Sequence, residues 1–203
     1  MFRADRKSVL LACLICCSAT RISSQESFAP SLDTTGKTTV NGRLTPYIVR
    51  HLPLNAFPQL PAAVQVQLNR RGCLIPQTYE AHRPENVVHA SLEQKGTSDW
   101  AVLCSVNGTV SLLVFFASNL TAPALLATAP EISRLQPQGL SGILGFNWAI
   151  DQASPDEVHE AQLNMRHPPP RPDHDALADS VVDGRTIYRF YSSNFWTTID
   201  TGD

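Results

Sequence analysis

The sequence predicts an α+β fold that is mainly β, in which an antiparallel sheet is built on a central hairpin at residues 100–116 and carries two or three short helices. Three observations predict it. Asn107-Gly108 separates two apolar runs, which is the strongest short-range hairpin signal. Leu60, Val64 and Leu68 recur every four residues, as on one face of a helix. A chain of 203 residues is also long enough for one domain with a substantial core.

Residues 1–19 have the organisation of a cleaved secretory signal peptide. A basic head with Arg3, Arg6 and Lys7 precedes a short apolar run and the small residues Ser18-Ala19. The apolar run is about half of the ~20 residues that span a bilayer, so no transmembrane segment is expected after processing. We therefore expect an exported protein, periplasmic or extracellular. A lipid anchor on an N-terminal cysteine is the alternative.

The rest of the chain divides into a lead-in and one domain. Residues 20–46 are rich in Ser and Thr and show no apolar period, so they predict a disordered lead-in. A single globular domain is expected over residues 47–203. Within it, residues 87–92 and 146–153 are expected to be strands, whereas residues 117–146 contain several prolines and glycines and predict loops.

Helices are predicted from their end signals. The first is expected to begin with Pro61 at its first helical position and to end at Gly72, because proline suits that position and glycine suits the left-handed cap. Ser154-Pro155-Asp156-Glu157 is a capping box, so residues 155–164 should be helical. Acidic residues suited to a helix start favour a further short helix over residues 173–182.

The two-residue turn sets the register of the central hairpin. A type I′ turn requires positive φ at both central residues, which Asn107 and Gly108 tolerate. Both faces of the hairpin are mostly apolar, so we expect it in the middle of the sheet, covered on both sides. Alternation on either side of residues 192–194 predicts a second hairpin at the C-terminus. The predicted pairs of the central hairpin are Val106 with Thr109, Cys104 with Ser111, Val102 with Leu113 and Trp100 with Phe115.

Two cysteines, Cys73 and Cys104, remain after removal of the signal peptide. In an oxidising compartment they are expected to form a disulfide. Closing a loop of about 32 residues would stabilise the fold by roughly 3–4 kcal/mol. The alternative is two separate buried thiols that pack as small apolar groups.

In the stretch 87–116, Gly96 precedes a strand that begins with Asp99 and reads DWAV. This stretch resembles one blade of an FG-GAP or VCBS-type β-propeller repeat, in which spaced Asp or Asn residues, a glycine and a final Asp bind calcium. The lysine among the remaining ligand positions would bring a cation to the calcium site, whereas calcium prefers six to eight oxygens. The resemblance occurs once, so it implies a loop followed by a hairpin, without metal and without a propeller. The remaining ligand positions hold Ser91, Glu93 and Lys95.

A second resemblance is wider. GCLIPQ at 72–77, Asn86-Val87-Val88, DWAVLCS at 99–105 and DHDALAD at 173–179 precede an aromatic C-terminal hairpin. Together they resemble a set of uncharacterised exported bacterial proteins, over most of residues 60–203. The resemblance implies export, and it carries over no activity, cofactor or site residue.

The candidate reactive side chains lie close together near the C-terminus. His174, Asp175 and Asp179 form the pattern HDxxxD, with His167 seven residues upstream. On a helix, Asp175 and Asp179 would share a face, so a catalytic or metal site is geometrically possible, with His167, His174 and Asp175 as candidate ligands. The alternative, which we favour, is a polar helix start whose acidic residues cap backbone N–H groups. No metal and no cofactor are therefore predicted.

Several function classes lack their sequence signals. Beyond Arg70-Arg71, no Lys or Arg cluster follows the signal peptide, so a nucleic-acid partner is not expected. The mature chain contains no nucleophile elbow, P-loop, dinucleotide fingerprint, HExxH or CxxC motif. The main hypothesis is a non-catalytic exported binding protein with an unknown protein or small-molecule partner. The alternative is a metal-assisted hydrolase that uses the His/Asp cluster in residues 167–179.

Overall fold

The computed structural model describes residues 32–163 and 165–202. The predicted signal peptide and residues 20–31 of the predicted lead-in lie outside the described residues. Within the described chain, thirteen strands form three sheets, accompanied by two α-helices and two short 3-10 helices. The predicted α+β, mainly β class is therefore confirmed.

The N-terminal sheet begins with a long hairpin. Its first two strands, β1 (Thr34–Val40) and β2 (Arg43–Leu52), pair antiparallel. The middle of β2 pairs in parallel with a later strand, the only parallel pairing among the described residues. The other members of this sheet are β3 (Ile75–Gln77), β8 (Leu135–Pro137) and β9 (Leu144–Phe146).

This hairpin corrects the predicted lead-in. Residues 34–46 were expected to be disordered, and they form β1, a turn and the start of β2. Asn41 and Gly42 occupy the turn with φ values of 50° and 76°. The threonines that suggested disorder are β-branched and therefore fit the pleated surface of a strand.

The central sheet confirms the predicted hairpin. All four predicted cross-strand pairs between its middle strands are observed, and Asn107 and Gly108 form the turn with φ values of 49° and 75°. The loops predicted over residues 117–146 are only partly correct, because a long edge strand fills residues 119–130. An edge strand tolerates proline on its unpaired side. The strand order is β4 (Val87–Ala90), β5 (Asp99–Val106), β6 (Thr109–Phe116) and β7 (Asn119–Pro130).

The C-terminal sheet is antiparallel throughout. Its last two strands are the predicted C-terminal hairpin. The helix predicted over residues 173–182 is wrong, because residues 176–181 form a strand between two others. Pairing on both sides outweighs the weak helix-start signal of the acidic residues. The order is β10 (Trp148–Ala153), β11 (Ala176–Val181), β12 (Thr186–Ser192) and β13 (Phe195–Asp200).

Two predicted helices are confirmed. The first, α1 (Ala62–Arg71), ends at Gly72, whose φ of 70° is left-handed. The second, α2 (Pro155–Gln162), begins with the complete capping box of Ser154 and Glu157. The 3-10 helices span Leu54–Ala56 and Glu131–Arg134. Across residues 32–163 and 165–202, no helix is long and apolar enough to cross a membrane.

The central sheet has a core on each face. One face packs against the N- and C-terminal sheets, where Leu112 belongs to the same cluster as Trp148. The other face packs against α1 and β3, where Phe115 and Leu68 share a second cluster. The hairpin therefore lies between two cores, which explains why neither of its faces is polar.

The predicted disulfide between Cys73 and Cys104 is confirmed. Their Cα atoms lie 5.1 Å apart, and both residues are buried in the second core. The bond connects the end of α1 to the middle of β5.

Candidate functional site

The predicted His/Asp cluster does not converge. Nδ1 of His174 lies 2.7 Å from the carboxylate of Asp173, and the histidine is 8% exposed. Asp175 accepts a hydrogen bond from the backbone N–H of Ser91 over 2.9 Å. Because the chain is extended here, about 13 Å of backbone separates Asp175 from Asp179, and the two residues do not lie on adjacent turns of a helix.

Asp179 takes part in a hydrogen-bond network inside the protein. It accepts hydrogen bonds from Nε1 of Trp148 at 2.5 Å and from Nη2 of Arg189 at 2.7 Å. The guanidinium of Arg134 lies 4.1 Å from the centre of the Trp148 ring. Burial lowers the pKa of Arg134, whereas the negative charge of Asp179 opposes that shift. The carboxylate of Asp179 thus balances partly buried cations and anchors a core tryptophan.

The remaining candidate ligand, His167, is exposed in the segment that follows α2. Among the described residues, no group of three or more His, Cys, Asp or Glu side chains could hold a metal ion. Nε2 of His174 is buried and has no hydrogen-bond partner in the described chain. The three candidate ligands His167, His174 and Asp175 therefore form no common site.

The loop that resembles a calcium site is organised by a carboxylate. Asp99 is fully buried. One of its oxygens accepts hydrogen bonds from the backbone N–H groups of Leu92 and Glu93, each at 2.7 Å, and from the hydroxyl of Thr97 at 2.5 Å. The other accepts from the backbone N–H of Ala117 at 2.7 Å. The loop therefore closes around a side-chain anion that is satisfied by N–H and O–H donors.

A buried polar trio was missed in the sequence. Nε2 of His51 lies 2.7 Å from a carboxylate oxygen of Glu131, and the hydroxyl of Ser105 donates to the same oxygen. Nδ1 of His51 lies 3.0 Å from the carbonyl oxygen of Leu32. Carbonyl and carboxylate oxygens only accept, so both ring nitrogens of His51 face hydrogen-bond acceptors. His51 and Ser105 lie 80 and 26 residues before Glu131 in the sequence, so no local pattern could reveal their contact.

The order of this trio is not that of a serine hydrolase. In a catalytic triad, the histidine accepts the serine proton and the acid orients the histidine. Here Glu131 lies between Ser105 and His51, so the serine has no base. Burial raises the pKa of Glu131, but the hydrogen bonds from His51 and Ser105 and the charge of His51 outweigh it, so the pKa is lowered. The arrangement is a buried hydrogen-bond network that joins β2, β5 and the 3-10 helix before β8.

Half-exposed aromatic side chains form a surface cluster, which we call the aromatic corner. It consists of Phe116, Tyr191 and Trp196. The ring of Phe116 lies 4.7 Å from that of Tyr191 and 5.9 Å from that of Trp196, between centroids. Tyr191 and Trp196 lie 5.3 Å apart. The sequence predicted the C-terminal hairpin that carries two of these residues, but not the approach of Phe116 from the central sheet.

Polar groups border the aromatic corner. The turn after Phe116 is held by Asp99 through the backbone N–H of Ala117. Next to it, the exposed hydroxyl of Ser118 donates to Glu93 at 2.6 Å. A centre of aromatic rings with a polar rim has the composition of many protein binding sites.

Two shallow grooves lie elsewhere on the surface. One, of about 320 Å³, lies beside the end of α2 and is lined by apolar residues such as Leu163 and Met165. The other, of about 470 Å³, lies at the tip of the β1–β2 hairpin and includes Val40, Leu44 and Pro137. Neither lining includes an acidic side chain, so neither groove contains an acid–base pair.

Comparison with known proteins gives no match: no family model, no curated protein and no solved structure is similar to this chain.

Proposed function

We propose that this chain is an exported, non-catalytic binding protein that holds its partner at the aromatic corner. The observation that carries the proposal is the half-exposed cluster of Phe116, Tyr191 and Trp196. Tyrosine and tryptophan are enriched where binding energy is concentrated. The internal bonds of Asp175 and Asp179 support the same conclusion, because these carboxylates are committed to the fold.

The chemistry of the corner suggests its partner. The rings pack against one another, so little side-chain entropy would be lost when a partner covers them. Covering apolar surface is favourable by about 25 cal/mol per Å². The best-fitting partner has an apolar face with polar groups at its edge, where Glu93 and Ser118 offer a carboxylate and a hydroxyl.

Tryptophan fluorescence offers a direct test. Trp100 is 6% exposed and Trp148 is fully buried, so Trp196 is the one tryptophan that a partner could cover. The mature protein is titrated with fractionated surface material of the source organism while its emission is recorded. We expect a saturable change in the emission of Trp196, and co-sedimentation of the protein with the same fraction.

Matched variants make this test specific. Tyr191→Ala removes a ring from the corner, and Leu140→Ser removes exposed apolar surface elsewhere. We expect the first variant to abolish binding and the second to retain it. Equal binding by both variants, or no saturable binding by the unmodified protein, would overturn the proposal.

Export is part of the same proposal. It is supported by the signal-peptide organisation of residues 1–19 and by the resemblance of residues 72–77 and 99–105 to exported bacterial proteins. N-terminal sequencing of the protein recovered outside the cytosol tests it. We expect the mature chain to begin at Thr20, and an intact Met1 on the recovered protein would contradict export by cleavage.

A metal-assisted hydrolase is the competing function, and the unpartnered Nε2 of His174 is the observation in its favour. Elemental analysis of the purified mature protein distinguishes the two. A stoichiometric divalent metal that is lost in the variant His174→Ala with Asp175→Ala would favour the hydrolase. A metal-free protein that binds at the corner would favour the binding protein.

A further inference from the structure

The edges of the three sheets differ in their protection. An edge strand presents unpaired backbone N–H and C=O groups, which proteins guard with charged residues, proline, short length or a covering group. β1 carries Lys37 at its middle, and β7 contains Pro123 and Pro130. β4 and β8 have only four and three residues. Each of these edges is therefore a poor template for another strand.

β10, the first strand of the C-terminal sheet, is protected by a side chain. The amide of Asn86 donates to the carbonyl of Trp148 at 3.2 Å and accepts from the N–H of Ile150 at 3.0 Å. Trp148 and Ile150 lie two residues apart, so both groups are on the edge that faces away from β11. Asn86 thus occupies this edge as a neighbouring strand would.

β13, at the opposite edge of that sheet, has none of these protections within the described chain. Residues 195–199 are uncharged and are aromatic or β-branched, the types that favour strands. The one charge in the strand, on Asp200 at its end, is paired with Arg185 at 3.2 Å. Only β12 pairs with β13 among the described residues.

The register of the hairpin identifies the backbone groups on this free edge. Ser192 and Phe195 close a two-residue turn, which makes them a hydrogen-bonded pair. At the other end, Thr201 donates its N–H to the first residue of β12 at 3.0 Å. Bonded and non-bonded pairs alternate between these ends. The N–H and C=O groups of Trp196 and Thr198 therefore point away from β12.

We propose that β13 pairs antiparallel with β13 of a second copy of this chain, about a two-fold axis at Thr198. The outward groups belong to residues 196, 198 and 200, so the edge is symmetric about Thr198 and complementary to itself. In this register the two Thr198 residues exchange hydrogen bonds, and Trp196 of one copy faces Asp200 of the other. No like charges are opposed, and the contact closes as a two-fold dimer, the commonest form of homo-oligomer.

This inference goes beyond the proposed function, because the dimer needs no other ligand. The paired strands are short, and stable interfaces usually bury about 1,200–2,000 Å², so the dimer should form reversibly with rising protein concentration.

Sedimentation velocity over a range of protein concentrations tests the dimer. Thr198→Pro removes the outward N–H without removing a bond to β12, and prolines are tolerated at such edge positions. We expect it to raise the dimer dissociation constant by roughly tenfold or more. Thr198→Val keeps the N–H and should dimerise as the unmodified protein does. A monomer at every concentration, or a dimer that Thr198→Pro leaves unchanged, would overturn the inference.

Cross-linking tests the register independently. Two hydrogen-bonded partner residues have Cα atoms about 5.5 Å apart, within the range of a disulfide. Thr198→Cys should therefore form an intermolecular disulfide under mild oxidation. Thr197→Cys is the control. Position 197 of each copy would face Ile199 of the other copy, so the two introduced cysteines would lie diagonally across the interface and should cross-link less. Equal cross-linking at both positions would contradict the two-fold axis at Thr198.

The dimer proposal and the binding proposal for the aromatic corner are tested by independent experiments, so either can be contradicted without the other. Sedimentation and cross-linking use the protein without added material, whereas the corner is tested by the emission of Trp196 on adding partner fractions. A monomeric Thr198→Pro protein that still binds at the corner would support both proposals.

Discussion

Asp99 illustrates how one buried side chain can organise a loop. Its carboxylate accepts four hydrogen bonds, three of them from backbone N–H groups. Buried polar groups are tolerated only when their bonds are satisfied, and an ionised carboxylate is the one side chain that offers two pure acceptor oxygens. The loop before β5 and the turn after β6 therefore share one anchor.

Replacing Asp99 by Asn tests that role. The variant keeps the shape of the side chain but turns an acceptor oxygen into an NH₂ donor that faces other donors. We expect the free energy of unfolding to fall by about 2–4 kcal/mol, measured by urea unfolding. Asp33→Asn, which removes an exposed carboxylate, is the control and should change it by less than about 0.5 kcal/mol. Equal losses would point to net charge instead of the hydrogen bonds.

The lowered pKa of Glu131 predicts that part of the free energy of unfolding is lost at acid pH. Burial raises its pKa, but His51 and Ser105 together lower it below the ordinary value of 4.5. A carboxyl group with a lowered pKa in the folded state stabilises the fold above its unfolded pKa and loses that contribution as the pH falls through the folded pKa. We expect Glu131→Gln to be less stable than the unmodified protein at neutral pH, and the difference to shrink below pH 4.5.

The comparison needs a control for general acid effects. Glu160→Gln removes an exposed carboxylate on α2 and should follow the unmodified protein across the acid range. Urea unfolding at several pH values gives the free energies. A difference between Glu131→Gln and the unmodified protein that stays constant down to acid pH would contradict a stabilising contribution from the lowered pKa of Glu131.

At the next level of structure, three of the hairpins have two-residue turns of the same form. Positive φ occurs at both turn residues in each of them: Asn41 and Gly42, Asn107 and Gly108, and Ser193 and Asn194. Turns of this form match the right-handed twist of the flanking strands. Each turn therefore selects one register, and register decides which side chains reach the core.

Gly108→Val tests the contribution of the central turn. Gly108 has a φ of 75°, and a Cβ there would meet no atom within 4 Å, so the cost lies in backbone conformation and not in contact. We expect a loss of about 1–3 kcal/mol in the free energy of unfolding. Asn107→Gly keeps positive φ accessible and should cost much less. Similar losses in both variants would show that the turn conformation is not responsible.

Sequence-based prediction succeeded where the deciding interactions join residues close together in the sequence, and it failed where they join distant segments. The central hairpin, α1 and α2 were correct because their signals lie within a few residues: a turn dipeptide, a left-handed glycine and a capping box. The same turn dipeptide, Asn41-Gly42, lies in the predicted lead-in, and it forms the turn of the β1–β2 hairpin. β11 was assigned to a helix because its state is decided by pairing with β10 and β12, which no local pattern contains.

The candidate site was less predictable for the same reason. Asp175 and Asp179 were grouped by helical spacing, and the extended chain separates them. The trio of His51, Ser105 and Glu131 comes from three distant elements. The aromatic corner joins Phe116 to the C-terminal hairpin, and only the three-dimensional packing of two sheets reveals it.

The disulfide allows a test of the whole molecule. It lies in the core between the central sheet and α1, whereas Trp196 lies at the far side of the other core. Replacing Cys73 and Cys104 together by Ala should lower the free energy of unfolding by roughly 3–4 kcal/mol. Because the central sheet belongs to both cores, we expect the loss to reach the C-terminal sheet as well. The urea midpoints from far-UV circular dichroism and from tryptophan emission, to which Trp100 in one core and Trp148 in the other both contribute, should then shift together. Separate midpoints would mean that the two cores unfold independently and that the described chain is not one cooperative domain.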